Sequence, residues 1–133
     1  MAQARGEFEV RRSVEPACDM GDGVEAGHFR FDKQFSGPLQ ATSVVHMLAV
    51  GTPVDGSAGY VAIERVSGTL DGRSGSFFLQ HNGVMDRGAP TLSLAVVPDS
   101  GSDGLEGLSG RMGIDIVDGK HYYTLDYGFR NAG

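Results

Sequence analysis

Apolar and polar residues alternate with a period of two along most of the chain, and turn residues cut the alternation at fairly regular intervals. Eight such runs can be read: "GEFEVRRSVE" from Gly6, "HFRFDKQF" from His28, "QATSVVHMLAV" from Gln40, "YVAIERVSG" from Tyr60, "GSFFLQHNGVM" from Gly75, "TLSLAVV" from Thr91, "SGRMGIDIV" from Ser109 and "HYYTLDYGF" from His121. Many short alternating segments with turn signals between them are the pattern of an all-β sandwich or barrel. Apolar residues at helical spacing never continue past a glycine, so little or no helix is predicted, at most a short turn within residues 103–108. "PACDMGDGVEAG" from Pro16 and "PDSGSDGLEG" from Pro98 are predicted to be exposed loops.

Turn chemistry sets the register of two hairpins. Asp71-Gly72 and Asp118-Gly119 suit a two-residue type I′ turn, in which both central residues need positive φ. The second turn places Ile116 opposite His121, Ile114 opposite Tyr123, Met112 opposite Leu125 and Gly110 opposite Tyr127. It leaves Arg111 facing Asp126 on the other side of the ribbon. A slip of one residue would invert this separation of apolar from charged positions. The first turn places Val66 opposite Phe77, Glu64 opposite Leu79 and Ala62 opposite His81. Its other face carries Val61, Ile63 and Phe78, which would meet water unless another segment or chain covers them, so a homo-oligomer is expected. A third turn, Ser36-Gly37-Pro38-Leu39, is expected to put Phe29, Phe31, Lys33 and Phe35 on one inward face with Thr42, Val44, His46 and Leu48.

At 133 residues the chain has the length of one domain, residues 1–133. Its 40% hydrophobic and 21% charged residues fall in the globular range. The 21 glycines sit beside Asp, Ser and Pro without a collagen period, and so mark turns. A formal net charge of -6 disfavours partners such as nucleic acid or an anionic membrane surface. The single cysteine, Cys18, cannot form an internal disulfide and is expected to be an unreactive loop thiol. With no signal-like apolar run near the start, and no stretch of the ~20 apolar residues that a membrane helix needs, a cytoplasmic location is expected.

The strings "FDKQFSG", "GTPVDGSAGYVAIERVSGTLDGRSGSFFLQHNGVMDRGAP" and "VPDSGSDGLEGLSGRMGIDIVDGKHYYTLDY" resemble a bacterial family of small proteins of unknown function. That resemblance covers nearly the whole chain. It implies a closed eight-stranded antiparallel barrel similar to the allene oxide cyclase barrel, which plant dirigent proteins and some bacterial polyketide cyclases also resemble. It implies no reaction and no catalytic residues, since fold alone does not give function. A barrel of this size is either filled by side chains or wide enough for one small ligand.

The registers carry a polar set inward: Lys33, His46, Tyr60, Glu64, His81, His121, Tyr123 and Tyr127. A buried carboxylate needs a partner, and His81, Lys33 or a tyrosine hydroxyl could supply one to Glu64. One reading is a structural cluster that satisfies itself inside a filled barrel. The other is a pocket for a small apolar molecule, with Lys33, His46, Tyr60, Tyr123 and Tyr127 as binding residues and Glu64 and His81 as an acid/base pair for isomerisation or cyclisation. The histidines never occur at metal-ligand spacing, so no metal and no other cofactor is expected. "GDGVEA" from Gly21 lacks the following helix of a dinucleotide site, and "DSGSDG" from Asp99 lacks the acids of a calcium loop.

Overall fold

Eight strands form the chain in the computed structural model, which describes residues 2–130. They are β1 (Ala2–Asp19), β2 (Glu25–Phe35), β3 (Leu39–Gly51), β4 (Ala58–Leu70), β5 (Arg73–Asp86), β6 (Ala89–Val96), β7 (Leu108–Val117) and β8 (Lys120–Phe129), with one 3-10 turn at Asp103–Leu105 before β7. Each strand pairs antiparallel with the next, and β1 returns to β8 from Ala2 opposite Tyr127 to Phe8 opposite His121. The sheet is thus a closed all-β barrel in simple meander order, as the alternation predicts.

Both registered hairpins form. Asp71, Gly72, Asp118 and Gly119 all have positive φ, and Ala62–His81, Glu64–Leu79, Ile114–Tyr123 and Gly110–Tyr127 stand opposite one another. Arg87-Gly88 makes a third turn of the same kind. The β2–β3 register differs from the expected one by a residue: Phe35 faces Ala41, Lys33 faces Ser43 and Phe31 faces Val45. Five residues separate Phe35 from Ala41, and this odd spacing turns Ala41, Ser43 and Val45 inward. His46, expected inside, is therefore on the outer wall opposite Arg30, where its ring nitrogen lies 2.9 Å from that of His28.

The segment from Pro16 is also more ordered than expected. β1 continues to Asp19 through an irregularity between Glu15 and Cys18, so Cys18 lies in a strand opposite Ala26 and the turn shrinks to residues 20–24. Proline lacks a ladder donor, and a bulge is where a strand tolerates one.

Meander order sends the turns alternately to the two ends of the barrel. The end carrying the β2–β3 and β4–β5 turns and the β6–β7 loop is filled. Phe35, Leu39, Leu70, Phe77 and Leu108 are all buried there, and Leu105, delivered by the 3-10 turn, plugs the base. Hydrogen bonds from Ser102 N to Ser76 O (2.8 Å) and from Phe78 N to Ser100 Oγ (3.0 Å) tie the loop across that end. The Tyr123 hydroxyl accepts from the Leu39 N–H (3.1 Å) and donates to the Ser36 carbonyl (2.9 Å). The Tyr127 hydroxyl donates to the Asp71 carboxylate, and this bond, with burial, pushes the tyrosine pKa up to about 12.

One joint is short. β6 and β7 pair only at Leu94–Met112 and Ala95–Arg111, whereas the β7–β8 ladder is unbroken from Leu108–Phe129 to Val117–Lys120. On the outer wall, Val61 (57% exposed), Ile63 (48%) and Phe78 meet solvent beside Leu48 and Val84.

Candidate functional site

A charged cluster sits inside the barrel where the filled half ends. Glu64, from β4, is fully buried at 0% exposure, and Lys33 (8%, from β2) and His81 (5%, from β5) are nearly so. Strand alternation points Lys33 inward beside Phe31 and Phe35, and the Asp71-Gly72 turn brings Glu64 and His81 to the same wall. Glu64 Oε1 accepts from Nε2 of His81 at 2.7 Å and from Nζ of Lys33 at 3.2 Å. Glu64 Oε2 accepts from the Ser43 hydroxyl at 2.6 Å. Burial by itself would raise the Glu64 pKa. The His81 hydrogen bond, the Lys33 charge, the His81 charge and the Ser43 hydroxyl outweigh it and hold the carboxyl below its ordinary value.

The ammonium of Lys33 is also held by aromatic faces. Its Nζ lies 5.0 Å from the Phe8 ring centroid and 5.8 Å from that of Phe35, within cation–π range. Among the described residues, Glu64 is its sole hydrogen-bond partner, and Nδ1 of His81 has none.

Above the cluster the barrel is open. A cavity of about 180 Å³ is lined by Phe8, Val10, Phe31, Val45, Met47, Ala62 and Ile114, with Lys33, His81, His121 and Tyr60 as its polar members. Glu64 does not line it, because Lys33 and His81 stand between the carboxylate and the space. Tyr60 and Met47 also belong to the wall of a second, strongly apolar pocket of about 350 Å³ at the rim, with Ala49, Met85, Pro90 and Leu92. Tyr60 is positioned by a missing side chain: its ring lies over Gly83, the residue opposite it on β5, where a Cβ would collide with the ring. Burial, then the nearby Glu64 charge, raises the Tyr60 pKa, so the phenol is neutral and available as a donor.

The expected site residues therefore separate. Lys33, Tyr60 and His81 meet at the cavity, and Glu64 lies directly behind them. Tyr123 and Tyr127 are spent on backbone and Asp71 partners in the filled half and line neither pocket. His46 is outside altogether. Ser43 was missed because the expected β3 register faced it outward; its signal is the small-residue series Ala41, Ser43, Val45, which suits a crowded interior. No group of three or more His, Cys, Asp or Glu side chains that could hold a metal occurs among the described residues. Among the described residues, no helix is long and apolar enough to cross a membrane.

A family model described as protein of unknown function (DUF3224) matches residues 4–127. The chain is similar to a solved structure, a protein of unknown function from the DUF3224 family of Shewanella oneidensis MR-1. The two are 46% identical with a TM-score of 0.91, over 98% of this chain and 99% of that one. No curated protein matches.

Proposed function

We propose, for a chain that belongs to the DUF3224 family of proteins of unknown function, that it binds one small, mostly apolar molecule in the open half of its barrel. The observation that carries this reading is the division of the interior: side chains fill one half, and the other is a cup with apolar walls and a few polar groups converging at its floor. Small-molecule sites commonly have this form. A neutral apolar dye such as N-phenyl-1-naphthylamine is expected to brighten on binding at about one per chain. Ala62→Phe, which fills the cavity from β4, should abolish the effect without loss of the β-sheet circular dichroism. A dye that stays dark with the native protein, or binds the filled variant equally well, refutes the reading.

A second reading is favoured by one observation, the free Nδ1 of a histidine held by a buried carboxylate beside a lysine. His81 would take a proton from carbon next to a carbonyl in the bound molecule, and the Lys33 ammonium would stabilise the enolate oxygen. Return of the proton to another carbon completes an isomerisation. Glu64 would then be a positioning residue, since it does not reach the cavity. Ligand recovered from the protein in deuterated water should carry deuterium at the acidic carbon, and His81→Phe should stop its incorporation. A ligand that stays unlabelled leaves binding as the whole function.

A further inference from the structure

The charged side chain in the lining of the cup is a cation. Lys33, His81 and His121 line the cavity on β2, β5 and β8, and no carboxylate does, although the chain has a net charge of -6. The nearest acid, Glu64, is behind Lys33 and His81 with both oxygens occupied. Lys33 has N–H donors beyond the one used on Glu64, and His81 has a free ring nitrogen. With Nε2–H of His81 committed to Glu64, its free Nδ1 is an acceptor, so the donors left for a ligand are those of Lys33.

We infer that the molecule taken by the cup carries a single carboxylate, seated on the unused N–H donors of Lys33, with an apolar chain that passes Tyr60 into the rim pocket. This rests on the reading of the cup as a small-molecule site. The carboxylate is selected by the donors left over: Lys33 keeps unused N–H groups at a wall that no carboxylate lines. The other titratable groups facing the space are His81, His121 and Tyr60, and none adds negative charge while Tyr60 is neutral. A phosphate would need more donors than one lysine supplies, and no arginine lines the cavity. The chain fits because Met47, Ala49, Met85 and Leu92 continue the apolar wall outward from the head site.

The probe pair is octanoate and 1-octanol, which share a chain and differ in the head. Octanoate should displace the neutral dye from the native protein at a concentration about tenfold lower than octanol does, the factor that one charge-assisted hydrogen bond supplies. Lys33→Met should remove that preference and leave octanol displacement in place. Octanol matching or exceeding octanoate while the dye still binds would overturn the carboxylate inference and leave the cup intact. Failure of the dye itself to bind would remove the cup, and this inference with it. The comparison on native protein decides the matter even if Lys33→Met does not fold.

Discussion

His81 Nε2 and Glu64 Oε1 lie 2.7 Å apart inside the barrel, and the carboxylate is the more deeply buried of the two. The imidazole therefore stands on the cavity side with its proton committed to a group that no ligand touches. Removing the carboxylate would leave Lys33 charged, buried and without its hydrogen-bond partner.

Glu64→Gln is expected to destabilise the protein by about 3 kcal/mol, because breaking a buried pair strands one charge. Adding Lys33→Met should recover more than half of that loss, since an apolar side chain no longer needs the partner. Urea unfolding of the two single variants and the double variant measures the interaction. Additive losses would show that the two side chains do not depend on each other.

Acid should act through the same carboxylate. Its pKa is lowered in the folded chain from an ordinary 4.5, so the unfolded chain takes up the proton first as pH falls. The Glu64 contribution is fully present above about pH 4.5 and is lost as pH falls through the depressed folded value. Unfolding free energies measured from pH 6 downward should fall less steeply for Glu64→Gln than for the native protein. Parallel curves would contradict the depressed pKa.

Leu105→Ala removes the plug of the filled end and should cost about 3 kcal/mol, as a cavity in a packed core does. Dye binding in the cup should persist under native conditions, because the two halves of the interior do different work. Loss of dye binding from a folded Leu105→Ala protein would show that the base and the mouth are not independent.

The exposed Val61, Ile63 and Phe78 make self-association the expected state of the chain in solution. Ile63→Lys, placed on the outer wall away from the cluster, should shift sedimentation toward the monomer and leave the unfolding midpoint of the dilute protein unchanged. A native protein that sediments as a monomer at every concentration would refute the association.

The barrel was legible where turn chemistry and patterning agreed. Asp118-Gly119 permits one register, and that register sorts apolar from polar; Asp71-Gly72 also permits one, although both faces of its hairpin carry apolar residues, and that register alone brings Glu64 and His81 to one wall without coordinates. β3 was not legible. The Ser36–Leu39 turn suggests a spacing that sets Thr42, Val44, His46 and Leu48 beside the phenylalanines, but the real turn is one residue different, so Ala41, Ser43, Val45 and Met47 face them and His46 is outside. The division of the interior into filled and open halves was hidden for another reason. It depends on where the loop after β6 drops Leu105, and on the space left by Gly83 for the Tyr60 ring, neither of which alternation encodes.

The short β6–β7 joint has a consequence for how this protein could go wrong. A closed sheet offers no edge to a passing strand, but a joint of two residue pairs can part locally long before the barrel unfolds. Residues 89–93 of β6 and 113–117 of β7, which have no partners across the joint, then resemble the rim of an open sheet, the usual template for strand-by-strand aggregation. Pro90, which has no N–H to offer, and Asp115, whose charge would repel a second copy of itself, stand on those two rims as gatekeepers.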